Sequence, residues 1–196
     1  DYASASGWLT GGGVHLISLK PRTSSVWNEK TYKVNERMTA LSYEAHVKYT
    51  GRHFTFAAKS LLASCLDHTA LIGGYGISSI DPDNGEQEYT PFWHSTSWIN
   101  FTCGTKWKGH FFAGYTKNLG TADVLVSATV YGMGLDIDQV FSTNIAFSYN
   151  LPHWQIGMEY MPTTAWYGDT DKVSGKTVNT HSVTNHRILG LVMYYF

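Results

Sequence analysis

Three places in this sequence bring together side chains of the types that do chemistry. The first is Asp67-His68, an acid beside an imidazole, the couple used when a carboxylate orients a general base. Neighbours on an extended strand point to opposite faces, which argues against a working dyad. A Ser–His–Asp hydrolase also needs a nucleophile held by its base, and no serine lies in a Gly-x-Ser-x-Gly turn. The second place is His181 and His186 with Asp169 and Asp171, donors that suit a metal ion but whose spacing matches neither a zinc site nor an EF-hand loop. Nine histidines are spread over the chain, so polar loop and lumen positions account for this pair. The third is Gly134-Leu135-Asp136-Ile137-Asp138, with two carboxylates on one face of an extended segment. They could hold a cation, but the simpler reading is a loop anchor meeting Lys117 or Arg187. These patterns therefore lead to no expected catalytic residue, resident metal or cofactor.

A further set points to transport rather than reaction. Glu44, His46, Lys48, Lys59, Asn100, Lys106, Glu159 and Arg187 are expected on the polar side of alternating segments. Ionisable groups on the inner face of a membrane barrel either fill it with salt bridges or line a pore. Size separates the two, because about eight strands enclose a space that side chains fill, whereas ~16 or more leave an aqueous channel.

The elements that must carry these residues are strands. Leu41, Tyr43, Ala45, Val47 and Tyr49 alternate with Ala40, Ser42, Glu44, His46 and Lys48, a strict period of two. After Thr50-Gly51-Arg52 the chain returns with Phe54, Phe56, Ala58 and Leu62 against Thr55, Ala57 and Lys59. A second hairpin joins Ile99, Phe101 and Cys103 through Trp107-Lys108-Gly109 to Phe111, Ala113 and Tyr115. A third joins Ile145, Phe147 and Tyr149 through Leu151-Pro152-His153 to Trp154, Ile156, Met158 and Tyr160. Long polar connections are expected at 20–38, 65–93, 119–142 and 168–182, with strand-like pieces in two of them, at 71–77 and 124–130. Trp8–Leu19 opens and Val183–Phe196 closes the series. Eight crossings result, with Gly51, Lys108 and Pro152 on one side and the long loops on the other.

Composition agrees with strands that meet lipid. Of 196 residues 15% are aromatic, including 13 Tyr and 7 Trp, while charged residues reach only 15%, against ~25% in a soluble domain. No run of 18 apolar residues exists, so transmembrane helices are excluded and any crossing is made by strands. A net charge of −1 exerts no long-range pull on nucleic acid. The opening Asp1-Tyr-Ala-Ser-Ala-Ser has no export-signal character, so a signal is expected to be removed or to lie outside this chain. Cys65 and Cys103 could pair in an oxidising compartment, and the spacing leaves that open.

The final segment, Asn185 to Phe196, places Ile188, Val192, Tyr194 and Phe196 on one face and ends in Phe. It resembles the closing strand of bacterial outer-membrane proteins, a likeness that implies an assembly signal at Tyr194 and Phe196. Further stretches resemble the C-terminal half of a Bacteroidota-type porin-like outer-membrane β-barrel family. They are Ile72-Gly73-Gly74-Tyr75-Gly76, Gly114 to Gly120, Gly134 to Gln139, Tyr149-Asn150-Leu151-Pro152, Ala165 to Asp169, Asn179-Thr180-His181 and Thr184 to Arg187. The resemblance runs from about residue 38 to the end and implies a barrel about twice this length.

The expectation is thus one all-β domain over 1–196, a transmembrane antiparallel up-and-down β-barrel of about eight strands belonging to a larger barrel in the bacterial outer membrane. It would act as a porin-like channel, not an enzyme, passing small hydrophilic solutes by diffusion, with mixed charge giving weak selectivity. Its partners would be the lipid bilayer and the barrel-assembly machinery, with a homo-oligomer or a partner protein left open. The alternative is a closed eight-stranded barrel with a structural, adhesive or partner-binding role.

Overall fold

Segments that alternate polarity satisfy their backbone only by pairing with neighbours, and in the computed structural model they do so as one antiparallel meander. The structure describes residues 1–69 and 71–196. In chain order the strands are β1 (Tyr2–Ala3), β2 (Trp8–Leu19), β3 (Ser24–Trp27), β4 (Lys30–Lys33), β5 (Met38–Thr50), β6 (Phe54–Ser64), β7 (Gly73–Ile80), β8 (Gln87–Gly104), β9 (Trp107–Thr121), β10 (Val130–Met133), β11 (Ile137–Asn150), β12 (Trp154–Thr170) and β13 (Thr177–Tyr194). The wall runs β2-β5-β6-β8-β9-β11-β12-β13, with β1 on the far edge of β2.

The ladder fixes which side chains share a face, since residues directly opposite each other project the same way. One continuous row reads Trp8, Tyr49, Phe56, Phe101, Phe111, Ile145, Tyr160 and Ile188, apolar or aromatic on every one of the eight wall strands. This apolar face is open, with Ile188 at 73%, Val192 at 66% and Phe147 at 64% exposure. The row also climbs. Tyr49 stands two residues before the Gly51 turn, whereas Tyr160 stands eight residues after Pro152, so the strands are staggered as they are in a tilted sheet.

The sheet does not close. Among the described residues β13 pairs with β12 alone, and β2 pairs with β5 and, through Tyr2↔Thr10 and Ala3↔Leu9, with the two residues of β1. The alternative of an eight-stranded barrel closed within this chain, with Val183–Phe196 beside Trp8–Leu19, is therefore not what forms; the strands make an open antiparallel sheet. Neither strand meets the other, and two edges remain. Cys65 and Cys103 do not pair either: Cys65 is buried at the far end of β6, and Cys103 is exposed opposite the start of that strand.

At the short-turn end, residues 51–53, 105–106 and 151–153 connect the three expected hairpins. The other end is more built than the sequence indicates. The 20–37 connection folds as the hairpin β3–β4, turned by Asn28 and Glu29 at φ 48° and 62°, and Trp27 Nε1 donates to the Pro82 carbonyl at 2.7 Å. The strand expected over 71–77 forms as β7, while the piece expected over 124–130 shifts to β10 and pairs with β7. The polar 168–182 connection is mostly strand, leaving a turn over 171–176. That turn repeats the one over 81–86: Asp171 N–H donates to Lys176 O and Gly175 N–H to Asp171 O, as Asp81 and Gly85 do with Glu86 and Asp81. The Ser174 hydroxyl and the Val173 and Ser174 amides hold the Asp171 carboxyl below the usual carboxylate range.

Glycine decides how β10 reaches β7. Gly74 and Gly132 face each other in the ladder at φ 147° and 149°, and a Cβ on Gly74 would sit within 2.6 Å of the Gly132 Cα. Gly132→Val should detach β10 at a cost of about 1–3 kcal/mol to the loop layer while the wall persists. Hydrogen exchange checks this: amides at 73–76 and 130–133 should lose protection and those of β9 and β11 keep it, whereas unchanged loop amides would contradict the packing.

Candidate functional site

The polar face of the wall is where alternation places chemistry. Gly11, His46, Lys59 and Trp98 lie in one row of it, with Gly13, Glu44 and Leu61 in the row two residues along. Lys59 Nζ lies 3.0 Å from Glu44 Oε2, His46 Nδ1 lies 3.2 Å from Glu44 Oε1, and His46 Nε2 lies 3.2 Å from Asp1 Oδ1. Gly11 makes this possible, because a Cβ there would meet the His46 ring at 2.6 Å and collide with the Asp1 carboxylate. Three of the eight expected lumen residues, Glu44, His46 and Lys59, are thus one ion-paired cluster, half-buried and mutually neutralising.

The other five divide. Lys48, Asn100, Glu159 and Arg187 fall on the polar face by register, with Asn100 opposite Ala57 and Phe112, Glu159 opposite Ala146 and Leu189, and Arg187 opposite Met161. Lys106 does not. It sits in the β8–β9 turn with its ammonium 5.1 Å from the centre of the Tyr149 ring, a cation–π contact on the apolar side. Tyr194 stacks edge-on with Phe196 and lies 4.8 Å from Trp154, on the apolar face at the short-turn end.

Between β8 and β13 the polar face opens into a cleft of about 390 Å³. Its floor is small, Ala146, Ser148 and Gly157, and its sides are Asn100, His110 and Phe112 on one hand and Gln155, Glu159, Leu189 and Leu191 on the other. Asn100, Phe112 and Asn144 form a single ladder row, with the Phe112 ring leaning over Gly114 towards Trp98. The Thr102 hydroxyl bonds His110 Nδ1 at 3.1 Å, and Tyr195 Oη donates to Gln155 Oε1 at 2.9 Å. The sequence indicates Asn100 and Glu159 but not this cleft, whose small residues, Ala146 and Ser148 on β11 and Gly157 on β12, come together only when the two strands pair.

The remaining candidates are scattered. Asp67 and His68 lie in a 3-10 turn: the Cys65 thiol donates to Asp67 at 3.7 Å, while the His68 ring is 6.0 Å from His15. His186 bonds Tyr160 Oη at 2.8 Å and His181 lies against Tyr167, the two histidines on opposite faces of the β12–β13 pair, and Asp171 is spent on its turn. Asp138 is held by Lys117 at 2.6 Å, the anchoring read from the sequence.

Towards the loop end the polar face is covered. Phe92, Leu125 and Leu135 form a buried cluster with Val130 against it, because the 122–136 connection folds over β8. Beneath it lies His94, 1% exposed, with both ring nitrogens free of any hydrogen bond among the described residues. A second cluster, Met38, Ala40 and Cys65, packs against Ile17, Leu19, Tyr75 and Tyr89. Burial, and secondarily the charge of Asp67, pushes the Cys65 thiol up to about 12. Cys65 should accordingly resist an impermeant maleimide at pH 8 in the folded protein and react after denaturation. Labelling at the rate of a free thiol would mean that the loop layer is not closed over β5 and β6.

Comparison of this chain with protein-family models, with curated proteins and with solved structures finds no match.

Proposed function

We propose that this chain forms part of the wall of a porin-like β-barrel in the bacterial outer membrane, through which small hydrophilic solutes diffuse passively. The observation that carries the reading is the apolar row across all eight wall strands, backed by a polar face with an ion-paired cluster and an open cleft. Exposed apolar surface of this extent, well beyond the few hundred Å² that soluble monomers tolerate, suits contact with acyl chains. Aromatic residues gather where that face meets the short turns: Trp8 on Tyr49 at 4.8 Å, Trp107 on Tyr149 at 4.5 Å, Trp154 on Tyr194 at 4.8 Å. This is the position of an interfacial aromatic girdle.

In lipid no strand edge can stay unpaired, because each orphaned backbone group costs several kcal/mol. The two open edges therefore support a larger barrel, with further strands beside β13 and beside β2, where β1 already begins a ladder. A closed eight-stranded barrel would need the β2–β13 pairing that is absent. With more strands, a wall whose charges largely neutralise each other implies a pore of weak ion selectivity, narrowed by the 122–136 connection folded over β8. The closing strand, ending in Tyr194 and Phe196, is the segment through which assembly machinery would act.

Replacing Ile156 by Arg should cost ~2–4 kcal/mol in a bilayer, and replacing its polar-face neighbour Gln155 by Arg much less. Equal losses in denaturant titrations of vesicle-inserted protein would defeat the assignment of faces. For topology, cysteines at Gly51, Lys108 and Pro152 should label from one side of the membrane and those at Asn84, Gly120 and Gly175 from the other. Labelling of 108 and 175 by the same impermeant reagent on intact cells would end this arrangement. Planar-bilayer recordings of the assembled barrel should show stable conductance steps, and their absence would remove the channel.

A further inference from the structure

We propose that the cleft between β8 and β13 is a binding site for a neutral, polyhydroxylated solute of sugar size, with a ring face laid on Phe112 and hydroxyls taken by Asn100, Asn144, Gln155 and Glu159. The inference rests on the channel reading and names the solute class.

Shape comes first. Ser148 and Gly157 are direct ladder partners, and Ala146 lies beside Glu159, so three side chains of minimal size stand together and leave a trough. Its volume of about 390 Å³ falls within the ~300–1,000 Å³ of small-molecule sites. Across the trough, Asn100 and Asn144 stand two strand separations apart, ~10 Å, with Phe112 on the strand between, a span that one six-membered ring half fills and a short oligosaccharide covers.

Chemistry selects the ligand. The face of an aromatic ring is electronegative and attracts the polarised C–H groups of a sugar. Flanking amides donate and accept, which suits hydroxyls, themselves both donors and acceptors. Among the described residues no side-chain hydrogen bond or ion pair occupies Asn100, Asn144 or Glu159. By contrast, Glu44, His46 and Lys59 satisfy one another. No Lys or Arg lines the cleft, so a phosphate or carboxylate would meet the Glu159 carboxylate with only the His110 imidazole, already engaged through Nδ1 by Thr102, as a basic group beside it. A single carboxylate facing Leu189 and Leu191 is in turn a poor match for a polyvalent cation, but a good acceptor for two vicinal hydroxyls.

Calorimetric titration of the complete barrel that contains this chain, folded in detergent micelles, tests this, with maltotriose as the neutral probe, citrate as the anion and spermidine as the cation. Maltotriose alone should give saturable heat. Phe112→Ala should weaken it about tenfold and Phe112→Leu, kept as a control for folding, about threefold, since stacking is lost in both. Glu159→Gln should stay within about threefold, because an amide oxygen still accepts from a hydroxyl. Saturable spermidine binding abolished by Glu159→Gln would overturn the assignment, as would folded protein that takes up no maltotriose or binds it equally without Phe112. A complete barrel that acquires no strand structure in micelles or vesicles would refute the wall itself, and the site with it.

Discussion

Everything in this molecule depends on the register of its backbone ladders. In an antiparallel sheet a slip of one residue transfers every side chain of a strand to the opposite face. Between β5 and β6 the pairing Tyr49↔Phe56 puts Glu44, His46 and Lys59 on one face, and one step of slip would leave Lys59 on the face opposite Glu44 and His46. The same condition propagates through Phe101, Phe111, Ile145 and Tyr160 to Ile188, so a single run of hydrogen bonds creates both the apolar face and the polar one. The short turns pin that register, since each allows its two strands little freedom to slide.

Two consequences follow from such a sheet in isolation. The wall has little interior of its own: the buried clusters lie at the loop end, where Met38, Ala40 and Cys65 or Phe92, Leu125 and Leu135 are covered by connections, and the middle of each strand is open on the apolar side. Stability there must come from the backbone ladder and from whatever covers the apolar face. Second, the edge of β13 presents unpaired backbone along Asn179 to Tyr194, a template for another strand. The proposed barrel in lipid would meet both demands together.

Much of this was legible in the sequence because period two is a strong signal when repeated. The three hairpins at Gly51, Lys108 and Pro152, the faces of β5, β6, β11 and β12, and the Lys117–Asp138 anchor all appear in the residue pattern. The loop layer was not, and the reasons are local. The β3–β4 turn uses Asn28 and Glu29 in left-handed backbone, and Glu gives no warning of that. The extension of β12 and β13 is written in Thr, Asn, His and Ser, polar on both faces, which alternation cannot detect. Lys106 read as a lumen residue because composition does not say where a strand ends. His94 was passed over since its burial is imposed by a connection that starts nearly thirty residues later, and no local pattern encodes that. The cleft was invisible because its defining feature, small side chains on three adjacent positions of two strands, exists only after β11 and β12 are paired.

The account stands or falls on whether the apolar face meets acyl chains. Spin labels placed one at a time at Phe111, Phe147, Ile156 and Ile188, and at Asn144, Gln155 and Leu189, in protein assembled in vesicles, read this directly through collision with oxygen, which concentrates in lipid, and with a water-soluble nickel chelate. The account requires the first four to favour oxygen and the last three to favour nickel, alternating between Gln155 and Ile156. Free access of nickel to Ile156 and Ile188, equal to that at Gln155, would contradict it.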